Sequence, residues 1–176
     1  MINMKPKALF LDRDGIVNVE KHFVYKIEDF EFIDGIFEFC RFFQDKGYII
    51  FIITNQSGIA RGYYTLNDYN ILTRWMINEF NKQNIKITEA YHCPHLPEIT
   101  GECDCRKPKP GMILQAQKEF DIDLENSVVV GDNLRDIETG FNAGVKTNYL
   151  INKKNDKINF QFRNIRDLLN YLTIKK

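Results

Sequence analysis

Short, unbroken apolar runs alternate along this chain with longer amphipathic segments, and that alternation constrains its fold more than any other feature. Residues 8–12 (ALFLD), 48–54 (YIIFIIT) and 127–132 (SVVVGD) are apolar runs that close on a polar residue, as expected of parallel strands covered on both faces. Between them, residues 35–46 carry Ile36, Phe39, Cys40 and Phe43 at helical spacing and stop at Gly47. Thr65 and Asp68 form a capping box opening a helix to about Asn84, with Leu66, Tyr69, Leu72, Met76 and Phe80 on one side. Pro110 fits the first turn of a helix through Phe120. Residues 134–143 read as a helix ended by Gly144, and residues 165–172 as the closing helix. Residues 91–93 and 147–151 supply further short strands, and residues 152–159 a polar loop. Strand–helix alternation implies right-handed crossovers and an open, doubly wound parallel α/β sheet. With no internal repeat or linker, residues 1–176 read as one domain, long enough to bury its own core.

In such a sheet, ligands bind beyond the carboxyl ends of the strands. Asp12, Thr54 and Asp132 each terminate an apolar run, so three chemically active groups from distant positions are expected at one edge. Lys plus Arg and Asp plus Glu both total 24, a formal net charge of zero. That balance argues against a general nucleic-acid binder, which needs a basic excess or stripe. The pairs Lys153–Lys154 and Lys175–Lys176 read as solvated surface. The first residues, MINMKPKALF, hold no apolar run long enough for a signal peptide or membrane span. The expectation is a cytoplasmic monomer without membrane or nucleic-acid partners.

Two aspartates in FLDRDG (residues 10–15) stand two apart just past a buried strand, with Gly15 allowing a sharp turn. Asp12 can attack phosphorus as a nucleophile, and Asp14 can protonate the leaving oxygen and then deprotonate water. In isolation such a string is more often a structural Asx turn; its place at a strand end favours chemistry. GDNLRD (131–136) puts Asp132 at another strand end, suited to oxygen-ligated Mg²⁺. TNQSGIARG (54–62) offers a hydroxyl and backbone N–H groups in a glycine-containing loop, an anion-binding concavity. CRKPKPGM (105–112) brings Arg106, Lys107 and Lys109 just before a helix, where one ammonium can neutralise a transferring phosphoryl group.

Three of the four cysteines, Cys93, Cys103 and Cys105, lie within thirteen residues beside His92 and His95. Without a secretory signal this reads as a metal site rather than a disulfide framework. His92 reads as an ordinary polar neighbour.

Taken together, in this order, the four stretches resemble the haloacid-dehalogenase-like hydrolase superfamily over essentially the whole chain. The resemblance implies a magnesium-dependent phosphatase with Asp12 as nucleophile, Asp14 as general acid and base, and Thr54 and Lys107 as phosphoryl stabilisers. Mg²⁺ would be held by Asp12, Asp132 and the backbone carbonyl of Asp14, with Asp136 at an additional acidic position. Cys93-Pro94-His95 and Cys103-Asp104-Cys105, followed by RKP, resemble the zinc loops of D-glycero-D-manno-heptose 1,7-bisphosphate 7-phosphatases and of the histidinol-phosphatase domain; the resemblance implies Cys93, His95, Cys103 and Cys105 as the ligands of a closed, structural Zn²⁺ site. NQSGIARG, with its Arg61, and KPKPGM look like the heptose branch. The seven residues between His95 and Cys103 look like the histidinol type, and Asn133 stands where the heptose family often has Lys. The implied reaction is removal of the 7-phosphate of a heptose bisphosphate, toward nucleotide-activated heptose for surface polysaccharide; histidinol phosphate is the second substrate in view. By the same resemblance Glu20, Lys21, His22, Phe23, Asn55, Gln56, Ser57, Arg106 and Asn133 line the substrate site, with Arg61 expected beside Arg106 to read the distal groups of a small sugar phosphate. Glu20 and His22 are equally readable as surface loop residues. A catalytically inactive zinc-bound interaction module is the reading from another class, disfavoured because it need not retain both Asp12 and Asp14. Asp14 and Thr54 are forty positions apart, too few for a separate cap domain. Water exclusion is therefore expected from the loops at 18–26 and 57–64 and from the zinc loop.

Overall fold

The computed structural model describes residues 5–152, 155, 158 and 160–174. The pairs Lys153–Lys154 and Lys175–Lys176, and most of the stretch 152–159, lie outside the described residues. Strands β1 (Lys7–Leu11), β2 (Tyr48–Asn55), β3 (Ile87–Cys93), β4 (Val128–Gly131), β5 (Thr147–Ile151) and β6 (Gln161–Phe162) form one sheet in the order β3-β2-β1-β4-β5-β6. Every pairing is parallel. The helices are α1 (Ile36–Asp45), α2 (Leu66–Lys82), the single turn α3 (Pro97–Thr100), α4 (Gly111–Phe120), α5 (Leu134–Ala143) and α6 (Ile165–Ile174).

Side-chain alternation along the strands explains why both faces must be covered. Leu9 and Leu11 of β1, Ile50 and Ile52 of β2 and Val128 and Val130 of β4 face one layer, packed with Phe39, Leu72, Met76, Phe80, Ile165 and Leu168 from α1, α2 and α6. Their neighbours Ala8, Phe10, Phe51, Ile53 and Val129 face the other, against Met112, Ile113, Ala116 and Ala143 from α4 and α5. A strand apolar on both faces has no exposed side to make polar, hence the unbroken runs.

Helix ends follow local chemistry. Thr65 and Asp68 satisfy each other's backbone N–H groups in the expected box at the start of α2, and Asn133 with Asp136 form a second box opening α5. Pro110 stands one position before α4 as its cap instead of inside the first turn. The sequence places a strand only at 91–93, whereas β3 begins at Ile87. As an edge strand it buries Ile87, Tyr91 and Cys93 but leaves Glu89 exposed, so it lacks the continuous apolar run of the central strands.

The chain runs from β1 to β2 and β3 on one side, then returns to β4 on the other side of β1. This reversal opens a crevice above the carboxyl ends of β1 and β4. Between Asp14 and Thr54 lie α1 and β2, with one 3-10 turn at Ile27–Asp29, and between Ser57 and Arg106 lie α2, β3 and α3. Neither interval contains an added folded unit. No helix among the described residues is long and apolar enough to cross a membrane.

Candidate active site

Asp12 follows β1 directly, and its N–H reaches across to Val130 O on β4 at 3.0 Å. Its Oδ1 accepts from Arg13 N–H at 2.8 Å and from Lys107 Nζ at 2.7 Å. The Lys107 ammonium is buried and also donates to Ile53 O at 3.0 Å. Its third neighbour is Asp136 Oδ1, 2.7 Å away, an ion-pair contact without the alignment of a hydrogen bond. Asn55, at the end of β2, explains how a loop lysine is held so firmly. Its Oδ1 accepts from Lys107 N–H at 3.1 Å while its Nδ2 donates to Lys107 O at 3.2 Å. The neighbouring carboxylates Asp12 and Asp136 keep the lysine charged despite burial that opposes its charge.

Asp12 feels the opposite pressure. Burial pushes its carboxyl up to about 8; Lys107 opposes the shift, and the negative charges of Asp136 and Asp14 add to it. Carboxylate oxygens of Asp12, Asp132 and Asp136 lie within 4.8 Å of one another. Three acidic groups face one ammonium, and a hard divalent cation with oxygen ligands suits both the donor set and the charge excess. The packing agrees: at Gly15 (φ +90°) a Cβ would run into the Asp132 carboxylate, so only glycine lets the β1 turn approach this acid. These residues fit Mg²⁺. Asp132 is the expected ligand brought in by β4, and Asp136 is a third carboxylate beside it.

The Asp14 carboxylate is not part of that cluster. Arg13 grips it with Nη2 at 2.8 and 2.9 Å from its two oxygens, and Asn18 Nδ2 and Gln56 Nε2 add hydrogen bonds at 3.0 and 3.1 Å. Arg13 is 1% exposed and also donates to Val24 O at 2.7 Å. A buried ion pair gives little net stability but strongly fixes orientation. Gln56 Nε2 also donates to Thr54 Oγ1 at 2.8 Å, and Gln56 Oε1 accepts from the Tyr64 hydroxyl at 2.5 Å. Thr54 thus accepts a bond from within the protein and keeps its own O–H for an incoming oxygen.

Above this floor opens a cavity of about 340 Å³. Asp12, Asp14, Thr54, Lys107 and Asp132 line its base. Glu20, His22 and Phe23 enter from one loop, and Asn55, Gln56, Ser57 and Tyr64 from another. Arg106, Asn133 and Arg135 complete the rim. His22 and Phe23 adopt left-handed backbone (φ 56° and 55°), conformations that cost energy in non-glycine residues and tend to persist where a site demands them. The Glu20 carboxylate helps by accepting from His22 N–H at 2.6 Å. Two aromatic pairs zip the walls together: Phe23 meets Tyr63 edge-on at 4.9 Å, and Tyr25 stacks on Tyr64 at 5.0 Å.

Two expected substrate residues stand elsewhere. Lys21 points away to an ion pair with Glu31 at 3.0 Å and does not line the cavity. Arg61 is exposed and does not line the cavity; the tight turn that brings its N–H to Ser57 O carries it past the rim. The sequence reading did not single out Arg13, Tyr64 or Arg135. Arg13 sits between two marked aspartates, and that position was the available signal.

On the flank, Cys93, Cys103 and Cys105 gather with Sγ–Sγ separations of 3.6, 2.9 and 3.5 Å. Tetrahedral Zn²⁺ with Zn–S near 2.3 Å sets sulfurs about 3.8 Å apart, so slight expansion admits the ion, and the donors fit it. Burial and the neighbouring thiols push Cys105 up, whereas hydrogen bonds from the Arg106 backbone and the other thiols bring Cys103 below its ordinary value against its own burial. His95, expected as the fourth ligand, has no ring nitrogen within this group. Its backbone is engaged instead, N–H toward Cys93 and O accepting from Arg106 Nη1 at 3.2 Å. The His92 ring packs on Tyr69 at 4.2 Å, the neighbour role expected of it.

Comparison with known proteins agrees with this geometry. A HAD-hydrolase-like family model matches residues 104–153. The D-glycero-alpha-D-manno-heptose-1,7-bisphosphate 7-phosphatase of Campylobacter jejuni is 54% identical over 174 residues, covering 98% of this chain and 99% of the relative. The D-glycero-beta-D-manno-heptose-1,7-bisphosphate 7-phosphatase of Haemophilus influenzae is 46% identical over 149 residues, 82% of this chain and 81% of that protein. Among solved structures, the D,D-heptose 1,7-bisphosphate phosphatase of B. bronchiseptica, complexed with magnesium and phosphate, superposes with a TM-score of 0.84 at 26% identity. It covers 97% of this chain and 99% of its own.

The raised proton affinity of Asp12 sets a direction for pH. Its folded-state value of about 8 exceeds the ordinary 3.8, so without a cation this group favours the fold at low pH and loses that contribution as pH rises through 8. Proton and cation compete for one carboxylate. Mg²⁺ is therefore expected to raise the thermal midpoint more at pH 8 than at pH 6, read by scanning fluorimetry, with the difference absent in Asp12→Asn. A larger shift at pH 6 would contradict the assignment.

Proposed function

The chain belongs to the D-glycero-D-manno-heptose-1,7-bisphosphate 7-phosphatases of the haloacid-dehalogenase-like hydrolases, and from that premise we propose how its own residues remove the 7-phosphate of such a sugar bisphosphate. One observation carries the reading. Asp12 and Asp136 pair with Lys107, and Asp132 joins their carboxylates, beneath a pocket whose floor also presents Thr54 and Asp14. A carboxylate nucleophile, a cation site, a hydroxyl donor and a second carboxyl group thus meet at one sheet edge.

In the first step an oxygen of Asp12 bonds to phosphorus while the bond from phosphorus to the sugar oxygen breaks. Asp14 passes a proton to that leaving oxygen. Thr54 O–H and the Lys107 ammonium stabilise the charge on the transferring group. In the second step Asp14 takes a proton from water, the water oxygen bonds to phosphorus, and the phosphorus–Asp12 bond breaks to return the carboxylate and free phosphate. Asp12, Asp132 and the backbone carbonyl of Asp14, with Asp136 alongside, would hold Mg²⁺, which would supply neutralisation of phosphoryl charge when bound. Arg13, Asn18 and Gln56 fix where the Asp14 carboxylate stands. The whole chain acts as one unit, in the cytoplasm and as a monomer, its two aromatic-zipped loops excluding water.

Zn²⁺ on Cys93, Cys103 and Cys105, with His95 the adjacent imidazole for the fourth position, fastens the loop that delivers Arg106 and Lys107. Its role is structural, because metal binding of this kind couples to local order.

Phosphate release from heptose 1,7-bisphosphate in the presence of Mg²⁺, leaving the sugar 1-phosphate, is the expected activity. Asp12→Asn should reduce it by about 10⁴-fold or more while keeping the fold; near-normal turnover in that variant would remove the nucleophile. Elemental analysis should find one zinc per chain, with both zinc and activity reduced in Cys103→Ser. Full activity in zinc-free protein would end the structural-zinc reading.

A further inference from the structure

The pocket is electrically divided. At its base the single ammonium of Lys107 is outnumbered by the carboxylates of Asp12, Asp132 and Asp136, which leaves an acidic floor suited to a metal and the reacting phosphate. At its rim two guanidinium groups arrive from different elements, Arg106 from the loop before α4 and Arg135 from the first turn of α5. Arg106 gives Nη1 to His95 O, which fixes its plane and leaves its other donors for the cavity.

Arg135 is the less expected of the two. It is exposed at the cavity mouth, and among the described residues no ion pair or side-chain hydrogen bond of its guanidinium is recorded. It occupies the second position of α5, where the positive end of the helix dipole disfavours a cation. The fold therefore gains nothing from a positive charge here. Nor can the adjacent Asn133 supply the contact. Its side chain is uncharged, and its Oδ1 accepts from Arg135 N–H at 3.3 Å in the helix cap. Arg61, the other nearby cation of the loops, does not line the cavity.

A sugar bisphosphate whose 7-phosphate sits on Asp12 carries its second phosphate at the opposite end, toward this rim. We propose that Arg135, lining the same cavity as Arg106, binds that distal phosphate and is a specificity-determining residue for bisphosphate over monophosphate. Guanidinium groups recognise phosphate through paired, charge-assisted hydrogen bonds, and two of them from separate elements can share one group. The 1-phosphate is the position at which the alpha and beta substrates named for the relatives differ, so a residue reading it also contacts the anomeric end. This inference rests on the heptose bisphosphate reading and adds a residue to it.

The test compares wild type, Arg135→Gln and Arg135→Lys on heptose 1,7-bisphosphate and on the same heptose carrying only the 7-phosphate. In Arg135→Gln the ratio of kcat/KM for the two substrates should fall about 10- to 100-fold, carried by KM for the bisphosphate. Arg135→Lys should recover part of that ratio, since it restores the charge without the planar fork. A ratio equal to wild type in Arg135→Gln, or an equal loss on both substrates, would overturn the role of Arg135 while leaving the phosphatase reading intact. If wild type itself released no phosphate from the bisphosphate, the reading beneath would fall and this inference with it.

Discussion

A single buried ammonium organises this molecule. Lys107 Nζ lies 2.7 Å from both Asp12 and Asp136 and 3.0 Å from Ile53 O, joining the ends of β1 and β2 to the start of α5. Breaking such a pair by removing one partner leaves an uncompensated buried charge, at a cost of about 3–5 kcal/mol. Two negative groups against one positive also leave the cluster short of positive charge. That deficit raises the proton affinity of Asp12 alongside its burial and makes the site receptive to a divalent cation. The same electrostatic arrangement thus supports the fold locally and prepares the nucleophile.

Lys107 must arrive from a loop, and loops are poor at holding a group within a fraction of an ångström. Two devices compensate. The Asn55 side chain pairs with the Lys107 backbone in both directions, tying the loop to the end of β2. The thiol cluster of Cys93, Cys103 and Cys105 anchors the other side, one of its members at the end of β3. A similar division holds for Asp14, which Arg13 orients from within the core while Gln56 and Tyr64 link it to the opposite wall. Since Arg13 also bonds Val24 O, Asp14 and the loop bearing Glu20, His22 and Phe23 share one support.

The catalytic floor was legible in the sequence because backbone geometry places it. Asp12, Thr54 and Asp132 end apolar runs, and parallel strands deliver such ends to one edge whatever the remaining details. The box at Thr65 and the helix stop at Gly144 were legible for the same local reason. Side-chain direction in loops was not. Lys21 and Arg61 carry suitable charges, but the turn of each loop sends one to Glu31 and the other past the rim. Arg135 was not legible because the role proposed for it comes from sharing a cavity with Arg106, a residue 29 positions away. The start of β3 was missed because an edge strand shows solvent one face. Between the two branches suggested by the loop motifs, relatives over nearly the full length belong to the heptose enzymes.

In the proposed mechanism Asp12 forms a bond to phosphorus, so that the phosphoryl group is transferred twice, first to the protein and then to water. Each in-line transfer inverts the configuration at phosphorus. The direct measurement is the stereochemical course of hydrolysis with a substrate whose 7-phosphate is made chiral by oxygen isotopes and sulfur, analysed by phosphorus NMR. Two displacements through Asp12 predict net retention. Net inversion would mean that water attacks the substrate directly, and it would contradict the central role assigned to Asp12.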